Sequence, residues 1–463
     1  MGMFGRREIC TAEEKITRDN LLAVLHDALA IHAQNAAEIE TLWKYTRGNQ
    51  PILGRKKKVR PDICNKIVEN HAMEIVQFTS GYFLGEPVAY VRRGERKSDD
   101  EPMGDIVRLN DSMHLAGKAS HDKNMSTWMA VCGVGYRMLL PVPTVDGGAP
   151  FAIDTPDPAS TFVVYYSGFG GRRMLGARQI VRRKNDTNIV VTCGYTETDY
   201  FEVAEGRIIR FEPHKLGCVP IFEYQLNMAR MGAFEPAVPL LDAINKVQSN
   251  RVDGIEQFVQ AFLKFKNCKL EEDALAEFIE QGAIMLPPND LGRDADVDYV
   301  SGELNQSQVQ TLVDYLYDQV LAICGLPTST KGGASTSDTG AAVFLRDGWS
   351  QCEARARDTE LLFKQSEQDF LGLALSIMRQ KMDGFLLMPS EVECKFTRRQ
   401  HDNLQSKTQA LLAMLEAGVE PGIAFATSGL FNDPMDVAAA SAPYLRKWEY
   451  TEPDEVNNNA DAV

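Results

Sequence analysis

The chain has 463 residues, 44% of them hydrophobic and 24% charged, a balance that suits globular domains and argues against a fibrous or wholly disordered protein. Its formal net charge of −15 argues against a tight nucleic-acid binder, although it is compatible with a conduit whose walls repel a polyanion. No apolar run reaches the roughly 18–20 residues of a membrane-spanning helix, and Arg6-Arg7 is followed by Glu13, Glu14 and Lys15 rather than an apolar stretch, so no secretory signal is expected.

In chain order, Leu21, Leu22, Val24, Leu25, Leu29 and Ile31 predict a helix over 17–47, with Thr17 or Asp19 as candidate caps. A Gly/Pro turn at 48–54 leads into the basic run Arg55-Lys56-Lys57-Lys58-Val59-Arg60, expected to be a solvated loop. After Pro61-Asp62 a second helix is expected through Ile63, Ile67, Ile75 and Phe78 to Gly81, and another over 105–132. Residues 133–225 are rich in Val, Ile, Tyr and Phe, and predict consecutive strands at 136–140, 161–166, 179–183, 189–192, 198–203 and 207–211. A long amphipathic helix is expected over 239–265, a short αβ segment over 268–303, and a helix over 306–324 that stops at Gly325-Leu326-Pro327. The run 328–340 reads as a polar loop, 338–381 as a very long helix, 385–397 as containing a strand, and 400–450 as short helices. The acidic, Asn-rich stretch 451–463 has the composition of a disordered tail.

Signatures of chemistry are sparse. The nine cysteines (Cys10, Cys64, Cys132, Cys193, Cys218, Cys268, Cys324, Cys352 and Cys394) are widely spaced without a CxxC, which predicts free, mostly buried thiols. There is no P-loop, nucleophile elbow or HExxH, and the seven histidines are scattered. The Gly clusters 133–135 and 168–171 lack a following helix and read as turns. Asp294, Asp296 and Asp298 alternate along a candidate strand. A solvated acidic face is the preferred reading of these three, with no metal and no cofactor expected.

Three ordered segments carry a resemblance. The first is Asn65-Lys66-Ile67-Val68-Glu69-Asn70 followed by Gly81-Tyr82-Phe83-Leu84-Gly85-Glu86-Pro87-Val88. The second is Val219-Pro220-Ile221-Phe222-Glu223-Tyr224 followed by Pro239-Leu240-Leu241-Asp242-Ala243-Ile244-Asn245-Lys246. The third is Ile323-Cys324-Gly325-Leu326-Pro327, then Thr339-Gly340-Ala341-Ala342. In order and spacing, over roughly 60–400, they resemble the portal proteins of long-tailed phages of Gram-positive hosts and their prophage relatives. Asn227-Met228 and Thr339-Gly340 depart from the commoner pattern.

The resemblance implies an α+β fold: an elongated subunit with long stem helices, a β-rich wing, a small αβ clip, a long spine helix and a helical crown. It assigns 1–235 and 341–398 to the wing and spine, 236–267 and 304–327 to the stem, and 268–303 to the clip. The loop 328–340 becomes a tunnel loop, and 399–450 the crown. It implies a structural protein without catalytic residues, forming a ring of about twelve copies at the capsid portal vertex, assembled in the host cytoplasm. Double-stranded DNA would pass through it, and the terminase large subunit, head-tail adaptor, major capsid and scaffolding proteins would be partners, with no membrane. Thr328, Lys331, Gly332, Gly333, Ser335, Ser337 and Asp338 would then face DNA, Asn245, Gln248, Arg251 and Glu256 would belong to the stem and channel, and Asp294, Asp296 and Asp298 to the clip. The rival readings are a metal-dependent nuclease or transferase, and a cellular scaffold that oligomerises through the 338–381 helix.

Overall fold

The helix expected over 17–47 forms as α1 (Leu21–Thr46), which lays Leu21, Val24, Leu25 and Ala28 against Phe162, Val164, Leu175 and Phe201 of a six-stranded sheet. Each such buried aliphatic or aromatic side chain contributes about 1.5–3 kcal/mol. Neither expected cap residue acts alone. The Asn20 carboxamide accepts from the Thr17 N–H at 2.7 Å and donates to the Lys15 carbonyl at 2.9 Å, fixing the approach to the helix.

The computed structural model describes residues 5–58, 60–93, 104–143, 147–184, 187–259, 262–266, 296–300, 306–327, 349–396, 404–431 and 434–444. They fall into two units, the first built from 1–46, 72–236 and 322–463, the second from 47–71 and 237–321. The fold is α+β.

In the first unit, β5 (Thr161–Tyr166), β6 (Arg173–Lys184), β7 (Thr187–Tyr195), β8 (Asp199–Ala204) and β9 (Arg207–Pro213) form an antiparallel meander. The sequence does not announce β1 (Ile9–Thr11), which adds to its edge parallel to β5 with Ile9 opposite Val164. A second sheet has the order β10-β3-β4, from Ile221–Gln225, Val134–Pro141 and Phe151–Asp154. A third pairs β2 (Ala89–Arg92) with β13 (Val392–Lys395). The expected helix over 105–132 is two, α3 (Gly104–Leu115) and α4 (Lys118–Cys132), because Gly117 takes a left-handed conformation (φ 70°). The described part of the long C-terminal helix is α7 (Trp349–Lys381), and α8 (Leu404–Glu416), α9 (Pro421–Ser428) and α10 (Pro434–Ser441) match the expected short helices. The stretch 341–348 and the tail 451–463 lie outside the described residues.

The core around α7 joins Phe363, Phe370, Leu371, Ala374 and Met378 to Leu139, Phe151, Phe222 and Tyr224 of the second sheet. An ionic cluster runs through it. The Arg137 guanidinium, wholly buried on β3, donates to Glu367 Oε2 at 2.8 Å and to the Tyr224 hydroxyl at 3.1 Å, and pairs with Asp122. Lys118 bridges Asp122 at 2.6 Å and Glu367 at 3.2 Å, while Tyr90 and Tyr224 donate their hydroxyls to Glu367. Two cations and two carboxylates balance. Burial pushes the Glu367 carboxyl up, but Lys118, Arg137 and the two tyrosine hydroxyls outweigh it and hold the carboxyl at about 2.

Gly133 closes α4, its N–H bonded to the Met129 carbonyl at 2.8 Å. Its φ is +83°, and a Cβ there would lie 2.3 Å from the Arg230 backbone. This crossing admits only glycine. The 168–171 cluster is the turn between β5 and β6, as its composition predicts. Eight described cysteines are free. Cys132, Cys324, Cys352 and Cys394 are buried, Cys64, Cys193 and Cys218 half-buried and Cys10 exposed, so burial is less general than expected. Cys268 lies outside the described residues.

His32 sits on the buried face of α1, its Nε2–H directed at the Ala159 carbonyl (3.1 Å) and its ring 4.7 Å from that of Phe162. Burial pushes its pKa down from 6.5 to about 4. The folded state therefore prefers the neutral ring. That preference is fully present above pH 6.5 and is lost as pH falls towards 4, costing about 2 kcal/mol between pH 7 and pH 5. Denaturant midpoints at the two pH values should show this loss, and His32→Gln should flatten it. An equal loss in the variant would assign the acid sensitivity to other groups.

In the second unit, the run 61–70 that was expected to begin a helix is extended apart from a short turn at its start, and α2 begins only at His71 (His71–Phe83). The cause lies far along the chain, since the N–H groups of Asn65, Ile67 and Glu69 are claimed by side chains of α5 (Val238–Val259). That helix also ends before the expected 265. Phe262–Lys266 forms β11, paired antiparallel with β12 (Asp296–Val300), and α6 (Gln306–Cys324) follows as expected. Most of the expected αβ segment 268–303 lies outside the described residues.

Candidate functional site

The apolar stripe of α5 is interrupted on one side by Asn245, Ser249 and Asp253, four residues apart and all buried. That spacing advances about 6.0 Å along a helix. Two residues of extended chain advance about 6.6 Å, so alternate N–H groups of a strand can each meet one turn of the helix. This is what the second unit does. The Glu69 N–H donates to Asn245 Oδ1 at 2.8 Å, Ile67 N–H to Ser249 Oγ at 2.9 Å, and Asn65 N–H to Asp253 Oδ1 at 2.7 Å. A strand is thereby laid along a helix without any sheet partner, its N–H groups satisfied by side chains.

Asp253 is the pin of this strap. Its Oδ1 also accepts from Asn65 Nδ2 at 3.0 Å, and its Oδ2 pairs with Arg55 at 3.0 Å and Lys57 at 3.1 Å. Burial raises its pKa, but the Asn65 N–H, Lys57 and Arg55 outweigh this and leave the carboxyl below its ordinary value. Arg55 also donates to the Asn65 carbonyl at 3.1 Å, so the basic run is folded back on the strap and is not simply a solvated loop.

The expected stem residues are placed as follows. Asn245 is buried, donating to Gln50 Oε1 at 2.5 Å while it accepts from Glu69. Gln248 donates to Glu69 Oε1 at 2.5 Å. Arg251 joins α5 to α6, reaching Gln306 Oε1 at 2.6 Å and Gln310 Oε1 at 2.7 Å. Glu256 is exposed. Asp296 and Asp298 are on β12, in register with Lys266 and Lys264 of β11. Asp294 and the whole loop set Thr328, Lys331, Gly332, Gly333, Ser335, Ser337 and Asp338 lie outside the described residues. Ser249 and Asp253 were missed by sequence reasoning. Their signal is a polar i, i+4, i+8 line through α5.

The first unit holds a cavity of about 700 Å³ lined by apolar side chains such as Phe78, Tyr82, Met231, Leu326, Cys352 and Leu362. Arg355, Asp358 and Thr359 also line it. No helix among the described residues is long and apolar enough to cross a membrane.

Among the described residues, the second unit consists of α5, most of α6 and the β11–β12 pair, with the strap laid along α5. Against known families, the one described as phage portal protein, SPP1 Gp6-like, matches residues 25–422, most of the chain. The chain belongs to this family. A search of curated proteins gives no match. The portal family is a structural one, and the nuclease or transferase alternative finds no support in it. As a portal protein the chain serves the packaging of phage DNA. The three segments that carry the resemblance, from 65 to 342, all fall within the matched range.

Proposed function

We propose that this portal protein assembles with copies of itself into a closed ring, of twelve subunits in the virion, at the portal vertex of the capsid. Double-stranded DNA enters and leaves through its axis, and assembly takes place in the host cytoplasm. The observation that carries the reading is the family match over 25–422. The pair α5 and α6, braced through Arg251, supports it, because a channel wall needs stiff elements that keep their side chains in place as a polymer slides past.

In this reading α5 and α6 belong to the stem, 268–303 is the clip, 328–340 the tunnel loop, 341–398 the spine and wing strand, 399–450 the crown, and the β-rich part of 1–235 the wing. The terminase large subunit docks first and the head-tail adaptor later, with major capsid and scaffolding proteins around the ring. Lys331 contacts phosphates without regard to sequence, and the acidic remainder keeps net affinity low. Negative-stain electron microscopy and native mass spectrometry of the purified protein test the ring directly. Closed rings with a central hole are expected, alone or with capsid and scaffolding protein present. Only monomers and dimers, even with those proteins, would overturn the reading. Lys331→Ala is expected to keep the ring and change DNA packaging or retention, and a variant that loses the ring would count against the loop's role.

A further inference from the structure

Charge is distributed unevenly over this acidic chain. Segment 47–71 carries seven Lys and Arg residues against Asp62 and Glu69, a formal +5 within a protein of −15. The structure sorts these cations into two sets. Extended backbone points successive side chains to opposite sides, so Arg55 and Lys57 turn inward to Asp253 while Lys56 and Lys58 are exposed. Lys66 is exposed in the same way, between Asn65 and Ile67, whose N–H groups are held by the helix. None of Lys56, Lys58 and Lys66 has a carboxylate partner among the described residues. The inward cations share one buried acid, and the outward ones are left for an external anion.

The form of this surface limits what it can hold. The three exposed groups are ammonium ions, which lack the flat, directional donors of a guanidinium that read a particular base or headgroup. A row of point charges suits a repeating anion whose exact register does not matter. Duplex DNA presents one charge about every 1.7 Å of its axis, so exposed lysines find phosphates in reach whatever the register. We propose that Lys56, Lys58 and Lys66 form a sequence-independent contact site for the phosphate backbone of double-stranded DNA, carried on the second unit and separate from the 328–340 loop. The proposal rests on the portal reading for the supply of that DNA. Asp253 belongs to the device, because it holds the strap ordered and removes Arg55 and Lys57 from the contact.

The test is binding of a fluorescent 30-base-pair duplex by the full-length protein over a range of salt concentrations. The triple variant Lys56→Gln/Lys58→Gln/Lys66→Gln is expected to melt like the parent, since none of the three is paired. Its plot of log affinity against log salt should be shallower by up to about 2.7 for each engaged subunit, at about 0.9 per lost phosphate contact. A control, Lys15→Gln/Arg207→Gln/Lys215→Gln, removes the same charge from exposed positions of the first unit and should keep the parental slope. Equal slopes in parent and triple variant, equal losses in triple variant and control, or no duplex binding by the parent would each overturn the proposal. The first of these results would leave an acidic protein face as the occupant. Imaging the same preparations separates the two readings, since rings without the lysine effect refute only this site, whereas absence of rings under the conditions above refutes the portal reading itself.

Discussion

Glu367→Leu is expected to lower stability by about 3–5 kcal/mol, because it leaves Arg137 and Lys118 buried with only Asp122 to balance them. Arg137→Met should cost a similar amount by leaving the carboxylates in excess. The double variant restores neutrality, with Lys118 and Asp122 still paired at 2.6 Å. Its loss should be smaller than the sum of the two single losses by about 1–3 kcal/mol, read from denaturant midpoints. Additive losses would show that the four charges do not act as a unit. The acid side has a fixed sign. The Glu367 carboxyl is held at about 2, below its ordinary 4.5, so its contribution is complete above pH 4.5 and disappears as pH falls towards 2.

Asp253→Ala is expected to free the strap. The substitution removes the acceptor for the Asn65 N–H and, among the described residues, the anionic partner of Arg55 and Lys57 in one step. A loss of about 2–4 kcal/mol follows from a buried carboxylate serving two cations and one N–H. The loss is local, so its readout is limited trypsin cleavage after Arg55 or Lys57. When opening precedes cutting, each 1.4 kcal/mol raises the cleavage rate about tenfold, and the variant should be cut at least about 30-fold faster. Asp253→Asn keeps an acceptor for Asn65 but not the charge, and should fall between. Cleavage unchanged in Asp253→Ala would mean that Asn245 and Ser249 suffice to hold the strap.

Much of the fold is legible because it rests on local patterns. The strands from 161 to 213 are rich in Val, Ile, Tyr and Phe, Gly168–Gly171 and Gly206 mark two of the turns between them, and α6 ends at Gly325-Leu326-Pro327 where the stop signal lies. What escapes is set by distant parts of the chain. Ile63 and Ile67 have helical spacing with Ile75, yet 63–70 is extended because α5, nearly two hundred residues away, supplies acceptors for alternate N–H groups. Only three residues make β1, too few for a period, and their partner is β5. Gly117 looks like any glycine until its φ of 70° divides the helix. The basic run at 55–60 shows its composition but not its sides, since Asp253, which takes Arg55 and Lys57, is invisible from the run itself. Of the candidate site, the sequence places Asn245, Gln248 and Arg251 on one helix. Their partners Glu69, Gln306 and Gln310 belong to tertiary structure.

Arg137 and Glu367 are 230 residues apart, and both lie in a unit drawn from three separate stretches of chain. At about 5–20 residues per second, a ribosome needs on the order of ten to fifty seconds to travel from one to the other. Through that interval β3 and α4 exist with a cation that has only part of its complement, and the apolar face of the second sheet waits for α7. The nascent subunit therefore remains open to the cell's chaperones and proteases for most of its synthesis. The core around α7 is therefore closed by nearly the last part of the chain to be made, and the ion cluster it completes cannot form before Glu367 has been added.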